Sequence, residues 1–238
     1  GAGGIDLYRA SGIVGNLVGG VISGATVGVR VREGVATVSN AGTIAGGATA
    51  VALSAGYANR VIVDAGATFI GRVDGGNAVG ALASSTLELT STGSAGTLAS
   101  LGSQFTHFAN ITVDSGAAWT LTADTIGAGY TIVDSGTLTN AGTLGSTVTL
   151  GSSAQLTNTS TARISDTLIG VYASSTATVV NAGRIQGTGA SGIGVSLLGD
   201  GNVSNQSGGI IVGGNIGISA VGTGAVVSNA GLVTAGGS

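Results

Sequence analysis

The chain has 238 residues, 47 of them Gly, with no Pro, Cys or Met, only 7% charged and 3% aromatic residues, and a net charge of −3. Absence of Cys excludes a disulfide framework, a thiolate metal site and a cysteine nucleophile. The seven Arg are scattered among ten carboxylates rather than gathered into the basic stripe that nucleic acid requires, so no nucleic-acid partner is expected. A mean hydropathy of +0.54 with so little charge is the reverse of the disorder signature: the chain folds, and it folds on small side chains.

No apolar run approaches the roughly 18 residues of a membrane helix, because Ser, Thr, Gly or Asn interrupts each one. The start, Gly1-Ala2-Gly3-Gly4, carries neither Met nor a signal peptide, and the chain reads as a segment of a longer protein. From there a phrase of aliphatics alternating with small or polar residues recurs. It appears as Gly4-Ile5-Asp6-Leu7-Tyr8, Val27-Gly28-Val29-Arg30-Val31, Val51-Ala52-Leu53, Ile169-Gly170-Val171-Tyr172-Ala173, Ile193-Gly194-Val195-Ser196-Leu197 and Ile216-Gly217-Ile218. Strict alternation predicts strands with one face in and one face out.

A second phrase, Val38-Ser39-Asn40-Ala41-Gly42-Thr43-Ile44, predicts two short strands around a bend. It returns as Val180-Asn181-Ala182-Gly183-Arg184-Ile185, Ser204-Asn205-Gln206-Ser207-Gly208-Gly209-Ile210 and Ser228-Asn229-Ala230-Gly231-Leu232-Val233, so that asparagines 181, 205 and 229 repeat every 24 residues. A fixed period in the twenties is the mark of a solenoid. Three short strands per turn of about 22–24 residues predict an all-β fold, a single right-handed parallel β-helix of about ten coils spanning 1–238. Within it 1–34 are less regular N-terminal coils, 83–138 an irregular middle with most of the large rings, and 139–238 the most regular coils.

The corner slot is expected to hold Asn40, Asp64, Asp114, Asn140 (or Asp134), Asn158, Asn181, Asn205 and Asn229. Asn tolerates left-handed backbone angles, and amides stacked coil on coil can form a hydrogen-bonded ladder. The Gly two residues on, at 42, 66, 116, 136, 142, 183 and 231, is expected to supply a positive φ.

Leu87-Glu88-Leu89-Thr90, then Phe105-Thr106-His107-Phe108, then Thr112-Val113-Asp114-Ser115-Gly116-Ala117-Ala118-Trp119 and Leu138-Thr139-Asn140-Ala141-Gly142-Thr143-Leu144 follow in an order that resembles the passenger β-helix of bacterial autotransporters. The resemblance covers Val35 to the C-terminus. It implies a β-helix displayed on the surface of a Gram-negative cell as a non-enzymatic structural or adhesive segment, facing a host or neighbouring cell. It also implies an outer-membrane β-barrel translocator elsewhere in the parent chain. An alternative is a subunit of an extracellular fibre in which copies stack end to end; another, in the enzyme class, is a polysaccharide-processing β-helix.

Candidate sites are few. Asp64, Asp114 and Asp134 would form an acidic row for glycan cleavage if they stacked, but they occupy the corner slot on non-successive coils, where carboxylates cap turns. Phe105, Phe108 and Trp119 would make a platform for sugar rings if exposed; their alternation with small residues favours core stacking. His107, the only His, lies between two Phe and completes no Ser-His-Asp arrangement, so no catalytic residue is assigned. Arg72 to Asn77 and Gly199 to Asn202 look like ion-binding loops but carry one carboxylate each, which favours plain turns, and neither a metal nor another cofactor is expected.

Overall fold

The computed structural model describes residues 3–9, 11–91 and 93–236, without the side chains of 123–125. Gly1, Ala2, Gly237 and Ser238, at the ends of the expected β-helix, therefore lie outside the described residues. Among the described residues there is no helix, and parallel strands stack as a β-solenoid of about ten turns. The chain divides into two compact units, Gly1–Thr112 and Val113–Ser238.

In the first unit, β1 (Gly3–Tyr8), β2 (Gly12–Asn16) and β3 (Val21–Gly24) form one coil, and β4 (Val27–Arg32), β5 (Ala36–Asn40) and β6 (Thr43–Ala52) the next. There follow β7 (Arg60–Asp64), β8 (Thr68–Asp74), β9 (Thr86–Thr90), β10 (Gly96–Ala99), β11 (Phe105–Thr106) and β12 (Asn110–Val113). One face stacks β2, β5, β7 and β9 in register. Another stacks β1, β4, β6, β8 and β11, while β3 lies on the first half of β6. The alternation in sequence is what orients each strand: in β5, Ala36, Val38 and Asn40 point inward and are buried, with Thr37 and Ser39 between them turned outward.

The second unit begins with β13 (Ala118–Ile126), β14 (Thr131–Asp134), β15 (Thr137–Leu144) and β16 (Val148–Leu150). Three coils of three strands come next: β17 (Ala154–Asn158), β18 (Arg163–Asp166) and β19 (Ile169–Ala173); β20 (Ala177–Asn181), β21 (Arg184–Gly187) and β22 (Ile193–Leu197); β23 (Gly201–Asn205), β24 (Ile210–Gly213) and β25 (Ile216–Ala220). β26 (Val226–Asn229) and β27 (Leu232–Ala235) complete it. In-register pairing sets like residues above like. Leu138, Leu156, Val179 and Val203 form one buried column, and Leu144, Ile164, Ile185 and Ile211 another. Each such side chain contributes about 1.5–3 kcal/mol by leaving water, so the core is a sum of many modest equal steps.

Glycine at the corners has a different reason from the one the sequence suggests. Only Gly66 and Gly116 of the expected set have positive φ, at 91° and 78°. They sit in tight turns closed by Ala67 N donating to Asp64 O and Ala117 N donating to Asp114 O, both at 3.0 Å. Gly42, Gly136, Gly183 and Gly231 are instead demanded by close approach: a Cβ at Gly183 would stand 2.2 Å from the Thr159 carbonyl oxygen of the preceding coil, and one at Gly231 2.2 Å from that of Gly209. Among the described residues no Asn takes a left-handed backbone, and the non-glycine residues that do are Arg9, Glu33, Ser100, His107 and Ser153.

Gly183→Ala is therefore expected to cost about 1–3 kcal/mol, as overpacking against rigid backbone does. Gly15→Ala, where nothing lies within 4 Å of the added methyl, should stay within about 0.5 kcal/mol of the parent. Denaturant midpoints of the two variants compared with the parent chain check the pair, and equal losses at both positions would refute the close-approach account.

Candidate functional site

The most continuous side-chain arrangement is an amide ladder along the corner of the second unit. Asn140, Asn158, Asn181, Asn205 and Asn229 are successive register partners. Each Nδ2 donates to the Oδ1 of the next, at 2.9, 2.8, 2.8 and 2.8 Å. Backbone carbonyls take the remaining amide hydrogens, as when Asn181 also donates to Gly183 O at 3.1 Å. The ladder is buried up to Asn205 and emerges at Asn229. Because every bond points the same way along the chain, the ladder has a direction. A buried amide without partners costs about 1–3 kcal/mol, so each rung requires its neighbour.

The first unit has a shorter ladder that the sequence only half shows. Asn40 accepts at Oδ1 from Asn16 Nδ2 at 2.8 Å, and Asn16 lies in the phrase Val14-Gly15-Asn16-Leu17-Val18, which lacks the Ala-Gly signature. Asp64 and Asp114 leave the slot. Asn40 is paired with Val63, so Asp64 falls one residue further on, opposite Thr90, with a buried Oδ1 that has no hydrogen-bond partner; Asp114 follows the last residue of β12. Both open the positive-φ turns described above, a second kind of corner that the Asx-x-Gly spelling conceals. Asp134 ends β14 opposite Leu150, outside the asparagine column.

Phe105, Phe108 and Trp119 are 5%, 1% and 3% exposed, which removes them as a sugar platform. Phe105 meets Phe69 edge to face with centroids 5.6 Å apart, and Trp119 stands in register with Leu138. His107 turns outward at φ 62° and its Nδ1 lies 2.7 Å from Asp74 Oδ1. The same carboxylate accepts from Arg72 at 2.6 Å and from Gly76 N at 2.9 Å, so the first of the two suspected ion loops is closed by its own hydrogen bonds. Asn77 is likewise taken up by Gly56 N, Tyr57 O and Ser85 Oγ. In the other loop Asp200 Oδ1 accepts Gly224 N at 2.7 Å. No group of three or more His, Cys, Asp or Glu among the described residues is placed to hold a metal ion.

Sequence reasoning missed the ion pairs whose partners are a coil apart. Arg32 grips Asp6 with Nε and Nη2 at 3.2 and 2.8 Å and lies over the Tyr8 ring at 4.9 Å. Arg60 reaches across to the nearly buried Glu88, its Nε at 2.7 Å. Three arginines, Arg30, Arg163 and Arg184, have no carboxylate within ion-pair distance among the described residues. Two of them, Arg163 on β18 and Arg184 on β21, face each other in register and line a groove of about 250 Å³ with Gln186, Thr188 and Val212.

With this geometry in hand, comparison against protein-family models, curated proteins and solved structures finds no match.

Asp134 carries a strong electrostatic perturbation. It is fully buried, and burial pushes its carboxyl up from 3.8 to about 6, partly opposed by Gly136 N donating to Oδ1 at 2.9 Å; Oδ2 has no partner. The folded state thus holds this proton more tightly than the unfolded one, so its contribution is greatest below pH 4 and is lost as pH rises to about 6. The difference corresponds to about 3 kcal/mol. Asp134→Asn should remove that decline, so that its stability relative to the parent rises between pH 4 and pH 6 and levels off above. Chemical denaturation across this range checks it, and parallel pH profiles for the two chains would refute it.

Proposed function

We propose that the chain is a non-enzymatic structural or adhesive segment of an extracellular surface protein, comparable to an autotransporter passenger, displayed by a Gram-negative bacterium. The observation that carries this reading is the amide ladder running through five successive coils from Asn140 to Asn229, buried as far as Asn205. It ties each coil to the next by side chains as well as backbone. A segment built that way resists local fraying and holds its outward Ser, Thr and Asn residues at a regular spacing, as a stalk or an adhesive surface must. Antibody to the chain should label intact cells of the organism that encodes it, and mild external proteolysis should release the labelled material. Labelling confined to permeabilised cells would overturn the surface assignment.

A further inference from the structure

We propose that Arg163 and Arg184 form a binding site for a single oxyanion group, a sulfate or a carboxylate. The two residues are direct register partners on adjacent parallel strands, so their backbones are about 4.8 Å apart, and both side chains leave the same outward face because Ile164 and Ile185 point into the core. Like charges directly opposite each other on a sheet face repel. Arg30, in register with Asp6, has a carboxylate opposite it, whereas here each arginine stands opposite another arginine. The acidic side chain on these strands, Asp166, is engaged elsewhere: its Oδ1 accepts Leu168 N at 2.8 Å, and it lines a neighbouring groove that shares Thr188 with this one.

Arg184 is also held in position. Arg184 Nε donates to Gln186 Oε1 at 2.5 Å, and Gln186, only 5% exposed, donates in turn from Nε2 to Ser165 Oγ at 2.9 Å. A buried amide thus fixes the guanidinium of Arg184 by its Nε edge, and Arg184 lines the groove. Arg163 lines the same groove from the coil before, together with Gly187 and with Thr188, whose hydroxyl donates to Asp166 O at 3.2 Å. Two arginines lining one groove of about 250 Å³ suit a carboxylate or sulfate, which a guanidinium can bind in bidentate fashion, and a bound anion relieves the repulsion that the register imposes. The source of the group is either a free anion or a substituent on an acidic carbohydrate. The site stands whether or not the chain is an adhesin.

The test is thermal unfolding and isothermal titration of the whole 238-residue chain at low ionic strength with sodium sulfate and, separately, with tetragalacturonate, against sodium chloride at matched ionic strength. Sulfate should raise the melting temperature beyond the chloride control. Arg163→Gln and Arg184→Gln should each weaken binding at least tenfold while leaving the chain folded, since each removes a repulsion. Arg30→Gln should bind as the parent does, because its register partners are Asp6 and Ala52 and no second arginine faces it. Tetragalacturonate binding at least tenfold tighter than sulfate identifies the carbohydrate source, and equal binding the free anion. No effect beyond chloride in the parent, or an undiminished effect in both glutamine variants, overturns the site.

Discussion

In-register parallel stacking puts every side chain directly above its counterpart one coil earlier, at about 4.8 Å, and that spacing governs what the chain can contain. Apolar on apolar is favourable at that distance, as in the column Leu138, Leu156, Val179 and Val203. Amide on amide is favourable too, because each Asn brings a donor and an acceptor and can serve both neighbours. Carboxylate on carboxylate is not, since ionised oxygens only accept. Asparagine can therefore occupy the same slot on five consecutive coils, whereas Asp64, Asp114 and Asp134 do not stack on one another or on Asn.

The same rule accounts for the scarcity of charge. A charged residue in a register column needs either an opposite partner on the next coil or a neutral one. Asp6 with Arg32, Arg60 with Glu88 and Arg9 with Glu33 meet the first condition through diagonal or loop contacts between coils. Their contribution to stability is small where exposed, so they act mainly to fix which coil faces which. Arg163 above Arg184 is the exception. An arrangement that costs repulsion and is held by a buried glutamine is where an external partner is to be sought.

The fold was legible because both recurring phrases report the same period, and the period alone dictates a solenoid. The rungs Asn40, Asn140, Asn158, Asn181, Asn205 and Asn229 were legible for the same reason. What escaped was whatever depends on the partner coil. Asn16 bonds to Asn40 without sharing its Ala-Gly signature, and His107 meets Asp74 from 33 residues away. Gly183 and Gly66 occupy the same position of the same written motif, yet one is required by a carbonyl 2.2 Å from its missing Cβ and the other by a φ of 91°. Spelling cannot separate these cases, because close approach belongs to the neighbouring coil and not to the residue.

Coil length, by contrast, is not fixed. The ladder steps over 18 residues between Asn140 and Asn158, 23 to Asn181, and 24 to each of the next two, while the amide bonds stay within 2.8–2.9 Å. Register is therefore held at the corner and in the apolar columns, and the loops absorb the difference. The longer coils spend their extra residues in surface turns such as Thr188 to Gly192, which is the edge that borders the Arg163 and Arg184 groove. Loop closure becomes only slowly more costly with length, so a solenoid can lengthen a loop at one coil without disturbing the next. This separates the two demands on such a chain: the ladder and columns keep the coils in step, and the loop edge is free to acquire a binding surface.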